Sequence, residues 1–523
     1  MKINFCSILI FTVIVFYSSA NAQKLNYEIS DNPGKMFDLA NYKRAKELYR
    51  SIYKNDLTNL KIKYRFGVCL VYTYEEEDGI KTLESIPSSS TPPLEISYHL
   101  ARAYHLTNKY DKAIALYQKY ISIGNKEELI AGANRNIEMC QNAKELVKNP
   151  IHVKFENLGK RVNSIGKEFL PLITPDESFL FYTTRREGTT GRIYDLEGYF
   201  TADIYHSKYK YGKWSKARSV GMPNSYGNEQ TAGISEDGMK VVYYVNNPNS
   251  KNNLQISTKS RSSYKKAIKI KSDGINAKIG KHISGTISNN EDYLIFSSDR
   301  PGGYGKQDLY ICKKLPNGKW AKPKNMGKTI NTKYDDCYPY LSNNGYDLYF
   351  ASTGHNSMGG YDVFKTEFDL SKKDWSTPKN IGYPINNSDD NMSICFSKNK
   401  KYAYVGTHRK DAEGDLDIYR INFLDTDPSY TTYKGFVLDS DSNLFNLPIA
   451  IEVINKETEE LYGIYQANEK KGGYIMILPP GKYELNVDVP EKGMYLEKLV
   501  VQGKNKYKKE INRNIRVNFE DIE

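Results

Sequence analysis

The sequence predicts a multidomain chain of one α part and two all-β parts: a helical repeat array, a five-bladed β-propeller and a small β-sandwich. Three observations lead there. Ala45, Gly79 and Ala113 stand 34 residues apart inside a helical pattern. After Pro150 the apolar pattern changes to alternation, and a set of short strands recurs five times. From about Tyr430 strands continue without that repeat. A chain of 523 residues, 39% hydrophobic and 26% charged, has room for three or four domains of about 150 residues each, and this composition excludes disorder and collagen.

The first element is a leader. Lys2 precedes an apolar run from Ile8 to Tyr17, and small polar residues ending Ala20-Asn21-Ala22 follow it. This is the pattern of a secretory signal over residues 1–22, cleaved before Gln23. Cys6 has no small residue just ahead of it and is not read as a lipidation site. No other stretch reaches the roughly 20 apolar residues of a transmembrane span, so an exported, soluble chain is expected. The net charge of +12 reads as spread along the chain, which excludes nucleic acid as a partner. Cys69, Cys140, Cys312, Cys337 and Cys395 are odd in number and irregular in spacing, which predicts buried free thiols rather than disulfides or a metal site. The 44 tyrosines read as filling for cores and strand faces, with an extended aromatic surface as the alternative.

Residues 23–149 carry the helical pattern. Around Ala113 the frame is Leu100, Ala101, Tyr104, Ala113, Tyr117 and Tyr120; around Gly79 it is Phe66, Gly67, Leu70, Gly79, Leu83 and Ile86. Small residues at the crossings let paired helices approach, and large ones fill the groove between them. A degenerate form continues through Ile137 and Cys140 to about Lys148, as suits a capping repeat. The frame resembles the tetratricopeptide repeat. That resemblance implies a concave groove for an extended peptide, lined by first helices. Counted from Leu60 and Leu94, its positions are Lys61, Tyr64, Val68 and Val71, then Glu95, Tyr98, Arg102 and His105. Tyr64 and Tyr98 would give rigid aromatic contact and Arg102 a fork for a carboxylate. The alternative is an array that packs against a neighbouring domain.

Residues 150–428 carry the strand repeat. Five strands align: Phe179 to Thr184, Lys240 to Val245, Tyr293 to Ser298, Asp347 to Ser352 and Tyr402 to Thr407. The next strand opens with Asp203, Asp308, Asp362 or Asp417, replaced by Asn253 in the second unit, and an outer strand then brings Trp214, Tyr264, Trp320 or Trp375. An Asn opens each unit (Asn163, Asn224, Asn276, Asn331, Asn386), at steps of 61, 52, 55 and 55 residues. Outer strands end in Asn325-Met326-Gly327 or Asn380-Ile381-Gly382, and Asn157-Leu158-Gly159 carries that ending with no unit before it. The strand from about Ile151 to Gly159 is therefore expected to pair onto the fifth unit and close the ring, leaving only short protected edges. The units resemble the WD40-like propeller repeats of the periplasmic TolB family and of exported Bacteroidetes proteins.

In residues 429–523, Gly435 to Asp439, Leu447-Pro448-Ile449, Gly473-Tyr474 and Leu478 to Tyr483 resemble the carboxypeptidase regulatory-like domain, a prealbumin-like β-sandwich. Pro480-Gly481 reads as a type II turn centre. The basic stretch Lys504 to Arg516 reads as a solvated strand face, with contact to anionic glycans or lipid as the alternative. Asp439 to Asn443 begins like a calcium loop, but Leu444 stands where Gly is needed and Ala450 where Glu is needed; a turn of the sandwich is expected. The seven histidines never fall at i, i+4, and no nucleophile motif or phosphate loop is present in the sequence. The strand-opening aspartates, with Arg185, Arg300 and Arg409, recur across units. They are expected to fix turns, because an active site needs different groups converging from different places.

No catalytic residue, cofactor or metal is thus expected. The order of the parts resembles the PorE-like components of the type IX secretion system of Bacteroidetes. Those continue into an OmpA-like domain that grips peptidoglycan, whereas this sequence stops after the sandwich, so peptidoglycan anchoring is not carried over. The resemblance implies a non-enzymatic periplasmic scaffold associated with the outer membrane, with an envelope or outer-membrane protein as partner. A secreted or cell-surface glycan-binding or adhesive propeller is the alternative, and a propeller-based hydrolase is a third reading.

Overall fold

The computed structural model describes residues 30–87, 93–195, 197–246, 253–260, 263–270, 274–275, 282–288, 291–342, 344–424, 430–445, 447–456, 458–468, 471–502, 508 and 510–518. The leader, Asn276 and residues 504–507 and 509 of the basic stretch lie outside them. Two compact units make up the chain, one reaching Asn422 and one starting at Phe423.

The first unit opens with seven helices: α1 (Pro33–Asp38), α2 (Tyr42–Asn55), α3 (Leu60–Val71), α4 (Glu76–Glu84), α5 (Ile96–Leu106), α6 (Tyr110–Ile123) and α7 (Glu127–Leu146). Asn32, Asn41 and Asn59 start the first three by accepting from the backbone N–H of Lys35, Arg44 and Ile62. Each helix packs on the next, and α5 also packs on α3 and α7. The small residues of the repeat frame set this spacing. A Cβ on Gly67 would stand 2.7 Å from Leu83 Cδ2, and one on Gly79 would stand 2.7 Å from Val71 Cγ2, so only glycine lets α3 and α4 meet this closely.

Five antiparallel sheets follow on one plan. Inner strands are Glu168–Ile173, Asn228–Ile234, His282–Ile287, Asp336–Leu341 and Cys395–Phe396. Second strands are Phe179–Thr184, Lys240–Asn246, Tyr293–Ser298, Asp347–Ser352 and Tyr402–Thr407, and third strands are Asp203–Lys210, Asn253–Ser260, Asp308–Lys313, Asp362–Asp369 and Asp417–Phe423. Inner strands of the first four sheets touch in order, and the first also touches the fifth sheet. The fourth and fifth meet through Tyr340 and Phe396, rings 6.4 Å apart. The result is a propeller-like β domain. Two cavities of about 20 Å³ lie on its axis, lined by inner-strand residues such as Leu170, Thr231, Ser284 and Tyr338. Each is the size of one water.

One side-chain device ties neighbouring sheets together. Asn331 accepts from Leu309 N (2.7 Å) and donates to Leu309 O (3.0 Å), so its carboxamide acts as a peptide unit beside the third strand of the preceding sheet. Asn224 does the same on Ile204, Asn386 on Val363 and Asn163 on Ile418. An outer-strand Asn completes the lock: Asn325 donates to Asp308 (2.7 Å), accepts from Asn331 (2.9 Å) and caps Gly327 N (2.8 Å). Asn157 repeats all three bonds toward Asp417, Asn163 and Gly159. Accordingly Val153–Asn157 lies beside the third strand of the fifth sheet. The outer aromatics seal the seams: Tyr264 packs on Phe181 of the preceding sheet at 5.9 Å, Trp214 on Tyr404 of the fifth at 6.2 Å, and Trp320 and Trp375 join clusters shared with the sheets before them.

The second unit has two four-stranded sheets. One joins Gly473–Leu478, Thr431–Leu438 and the short parallel strands Glu510–Asn512 and Ile515–Arg516. The other runs Leu461–Ala467, Ile449–Asn455, Gly481–Val489, Gly493–Val501. Between them Val437, Ile451, Met476, Leu485 and Ile515 are buried. Asp439 caps Asn443 N at 2.7 Å and closes a turn. The type II turn expected at Pro480-Gly481 does not form. Gly481 keeps a negative backbone angle and opens a strand, because nine residue pairs hold that strand in register against Gly493–Val501 from its first residue on.

Asn325→Ala and Asn157→Ala are expected to destabilise the first unit equally, by about 1–3 kcal/mol, in urea denaturation. A loss for Asn325→Ala with none for Asn157→Ala would mean that the first strand only rests against the ring.

Candidate functional site

Recurrence decides most of the acidic groups. Asp308 accepts from Tyr304 N and Gly305 N, Asp417 from Glu413 N and Gly414 N, Asp362 from Met358 N and Asp203 from Thr190 N. One step inward, Glu168, Glu229 and Asp336 each take the N–H and hydroxyl of Ser164, Ser225 and Thr332. These carboxylates hold turns, at the same place in successive sheets. The repeated Asn-Ser/Thr followed four residues later by Glu/Asp was visible in the sequence and marks the inner strands. The five cysteines among the described residues are buried and free.

What does not recur gathers where the helices meet the ring. The turn between α3 and α4 places Tyr74 at φ +61°, a conformation that projects its ring outward. It stacks on His408, centroids 4.2 Å apart, and packs against a cluster of Leu170, Tyr338, Tyr361, Met392 and Leu416, which includes residues lining the axial cavity. Tyr74 therefore joins the helical turn to inner-strand residues at that end of the ring.

Arg135 of α7 makes a second anchor. Its guanidinium donates to Thr353 O (2.8 Å), Gly354 O (3.0 Å) and Ser357 Oγ (2.9 Å) and stands 4.6 Å from the Tyr334 ring. Beside it Asn142 donates to Ser357 O and His105 Nε2 bonds Met358 O at 2.8 Å. Burial lowers the His105 pKa to about 4, so the ring is neutral and donates to the carbonyl.

The third anchor uses the longest step of the repeat. Extra residues of the first unit carry Asp195, Glu197 and Tyr199; Arg185 pairs with both carboxylates, and Tyr199 donates to Asp415 at 2.6 Å. Lys43 of α2 joins Asp415 at 2.7 Å and lies 4.7 Å from the Tyr199 ring, with Lys167 at 4.1 Å and Arg185 at 5.1 Å. Gly198, at φ +85°, sits where a Cβ would come 2.6 Å from Asn41 Oδ1. The insertion is thus the seat of α2.

The residues read as a peptide groove fall inside this packing. Tyr64, Val68 and Val71 are buried in the helical core. Tyr98 is buried against Tyr117 and Tyr120, rings 5.6 and 5.5 Å away. His105 is taken by the ring, and half-buried Arg102 covers Tyr72 at 4.9 Å. Glu95 pairs with Lys126 at 2.6 Å, and Lys61 is exposed. The repeat frame picks side chains that point inward, but α5 packs on α3 and α7, and loop residues of the ring such as Thr353, Ser357 and Met358 meet the helices beside them. Among the described residues no helix is long and apolar enough to cross a membrane.

No protein-family model matches this chain, and no curated protein matches it in sequence. Solved structures that share fold features include TolB of Agrobacterium tumefaciens, at 14% identity over 51% of this chain and 78% of that one, TM-score 0.30. TolB of Acinetobacter baumannii follows at 15% identity over 49% of this chain, TM-score 0.29; this chain spans 55% of its length. A glycoside hydrolase is similar at 10% identity over 54% of this chain and 94% of its own, TM-score 0.37. Such distant likeness concerns fold alone, and no residue role is taken from it.

Arg135→Ala is expected to raise amide exchange in α7 and in residues 353–358 while the second unit stays unchanged, since three buried carbonyl and hydroxyl acceptors lose their donor. Unchanged exchange would mean that the helices hold to the ring without this fork. A pH effect follows from Asp362 beside Met358. Burial, reinforced by Asp390, raises its pKa from 3.8 to about 7. A folded pKa above the unfolded one adds stability below pH 3.8 that is lost as pH rises through 7. Asp362→Asn should therefore stabilise the protein by an amount that grows from pH 4 to 7 and levels off above; a gain independent of pH would show an ordinary carboxyl.

Proposed function

We propose that this protein is a non-enzymatic scaffold of the cell envelope, exported and associated with the outer membrane, in the manner of the PorE-like type IX secretion components. In this reading the ring is a five-bladed propeller closed by its own first strand, and the helices are tetratricopeptide-type repeats. The observation that carries it is the seating of the helices on the ring. Arg135, Tyr74 and Lys43 fix three separate helical segments to it, while the recurring carboxylates are engaged in turns. A body braced in this way suits holding a partner in place. An envelope or outer-membrane protein would then meet the outer side of the array. There the turns leading into α3, α5 and α7 expose Leu57, Leu60, Leu94 and Ile123, apolar side chains that a protein contact would cover.

Cross-linking in intact cells followed by affinity purification from membranes is expected to recover one abundant envelope partner. Leu57→Asp with Leu94→Asp should remove it without changing the melting curve. Recovery of the protein from the culture medium with no cross-linked partner would favour the secreted, glycan-binding reading instead.

A further inference from the structure

The net charge is not evenly spread. Residues 204–228 hold five Lys or Arg and no Asp or Glu, and residues 238–272 hold eight and none. Together their thirteen positive charges exceed the +12 of the whole chain. The two runs are separated in sequence by a short acidic stretch, yet the fold brings them to one seam. The first forms the third and outer strands of the first sheet and the second forms most of the second sheet.

At that seam Lys208 and Lys259 come from different sheets and lie against the same ring, with ammonium groups 5.1 and 4.7 Å from the centroid of Phe179. His206 is beside them, its ring 6.5 Å from Phe179, and Arg218 stands opposite His206 in the strand register. The buried Nδ1 of His206 has no hydrogen-bond partner. Two of the other seams show a contrast. The first residue of the second strand, Phe179 here, is Asp347 in the fourth sheet, where it binds Lys365 and, across the seam, Lys400. Between the second and third sheets Glu291 binds Lys240 and Lys314. In both places a carboxylate lies between two lysines. Between the first and second sheets two lysines meet a phenyl ring, and the charged neighbours that act on His206 and Lys259 are all cations. Burial, then Lys208, lowers the Lys259 pKa, and burial, then Lys208, Lys259 and Arg218, lowers that of His206 to about 4.

We propose that this seam is an anion-binding site for an acidic polysaccharide. Lys208 and Lys259 take one carboxylate or sulfate group, and Lys210, Lys213, Lys265 and Lys266 follow the chain outward. An external anion supplies the charge that Asp347 and Glu291 supply elsewhere in the ring. Tyr211, 96% exposed, and Tyr209, 38% exposed, alternate with Lys210 and Lys213, giving flat faces for sugar rings beside cations for their acid groups. Exposed Ser260 and Ser263 add hydroxyls beside Lys259, which suits a hydroxyl-rich polymer better than a lipid surface. This site stands independently of the scaffold reading, whose test concerns the helices.

The test is binding of the purified mature protein to immobilised polygalacturonate and heparin, with neutral dextran, phosphatidylglycerol vesicles and a short DNA duplex as the other arms. Binding to the two acidic polysaccharides that weakens with salt, with none to dextran, is expected. Lys208→Gln with Lys259→Gln should weaken it by about tenfold or more, since two charge-assisted contacts are lost. Lys372→Gln with Lys373→Gln, on the fourth sheet, should leave it unchanged. Phe179→Asp, which installs the carboxylate of the fourth sheet, should weaken binding as well and keeps the test valid if the double variant fails to fold. Equal losses at both lysine pairs would reduce the effect to general charge and overturn the proposal. Tighter binding to vesicles or DNA would overturn the assignment to a polysaccharide.

Discussion

The ring depends on a carboxamide that stands in for a backbone peptide. Sheets that radiate from an axis share few main-chain hydrogen bonds with one another, so each seam needs a connector that is both apolar in bulk and polar where strand ends meet. Asn224, Asn331, Asn386 and Asn163 supply the polar part by pairing with both the N–H and C=O of one third-strand residue. Asparagine fits because its side chain carries one donor and one acceptor in the same plane. The bonds are buried, where an unmet backbone group is costly, so each Asn fixes the position of the next sheet relative to the last. Closure follows from the same rule. Asn163 and Asn157 sit before the first sheet in sequence but complete the fifth in space, and the ring has no open seam there.

Seating of the helices builds on that rigidity. Arg135 can place its guanidinium against consecutive carbonyls only because the loop at 353–358 is itself held, with Met358 N on Asp362 and Gly354 N on Ser352. Tyr74 meets residues of inner strands that are already fixed by their neighbours, such as Tyr338 with its N–H on Ser284. A tyrosine with a left-handed backbone is strained by itself; here the stacking on His408 and the cluster beneath it hold the turn. The helical array and the ring thus fall within one compact unit, which reaches Asn422.

Much of this was legible because a repeat writes the same requirement several times. Four third strands open with Asp since each turn before them needs a carboxylate acceptor, and the displaced Asn157-Leu158-Gly159 gave away the closing strand because it carries an outer-strand ending with no unit before it, while the fifth unit has no outer strand of its own. The inner strands were less legible. Leu170-Pro171 and Tyr338-Pro339 interrupt the alternation: Leu170 and Tyr338 adopt left-handed angles at a bulge, so the period breaks where these strands are most buried. The groove residues fail for another reason. Spacing tells which side chains of α3 and α5 point inward, but not whether the inward space is solvent, a neighbouring helix or a sheet far along the chain. Charge shows the same limit, since lysines of the first and second sheets are some fifty residues apart in sequence and face one ring in space.

The parts that break the repeat are therefore the informative ones. A residue that occurs at the same place in four sheets answers a need common to four sheets, which is folding. The extra length of the first unit answers a need of the first unit alone, and the structure shows it to be the seat of α2. Phe179 belongs to the same class. Its equivalent in the fourth sheet, Asp347, pairs with Lys365 and Lys400, and there the charge is satisfied internally. Replacing the carboxylate by a ring while keeping two lysines leaves positive charge that the fold does not use, at a cost in mutual repulsion. Clustered like charge sets up a local field that draws oppositely charged partners. The first two sheets thus carry both departures, one turned toward the protein's own helices and the other toward solvent.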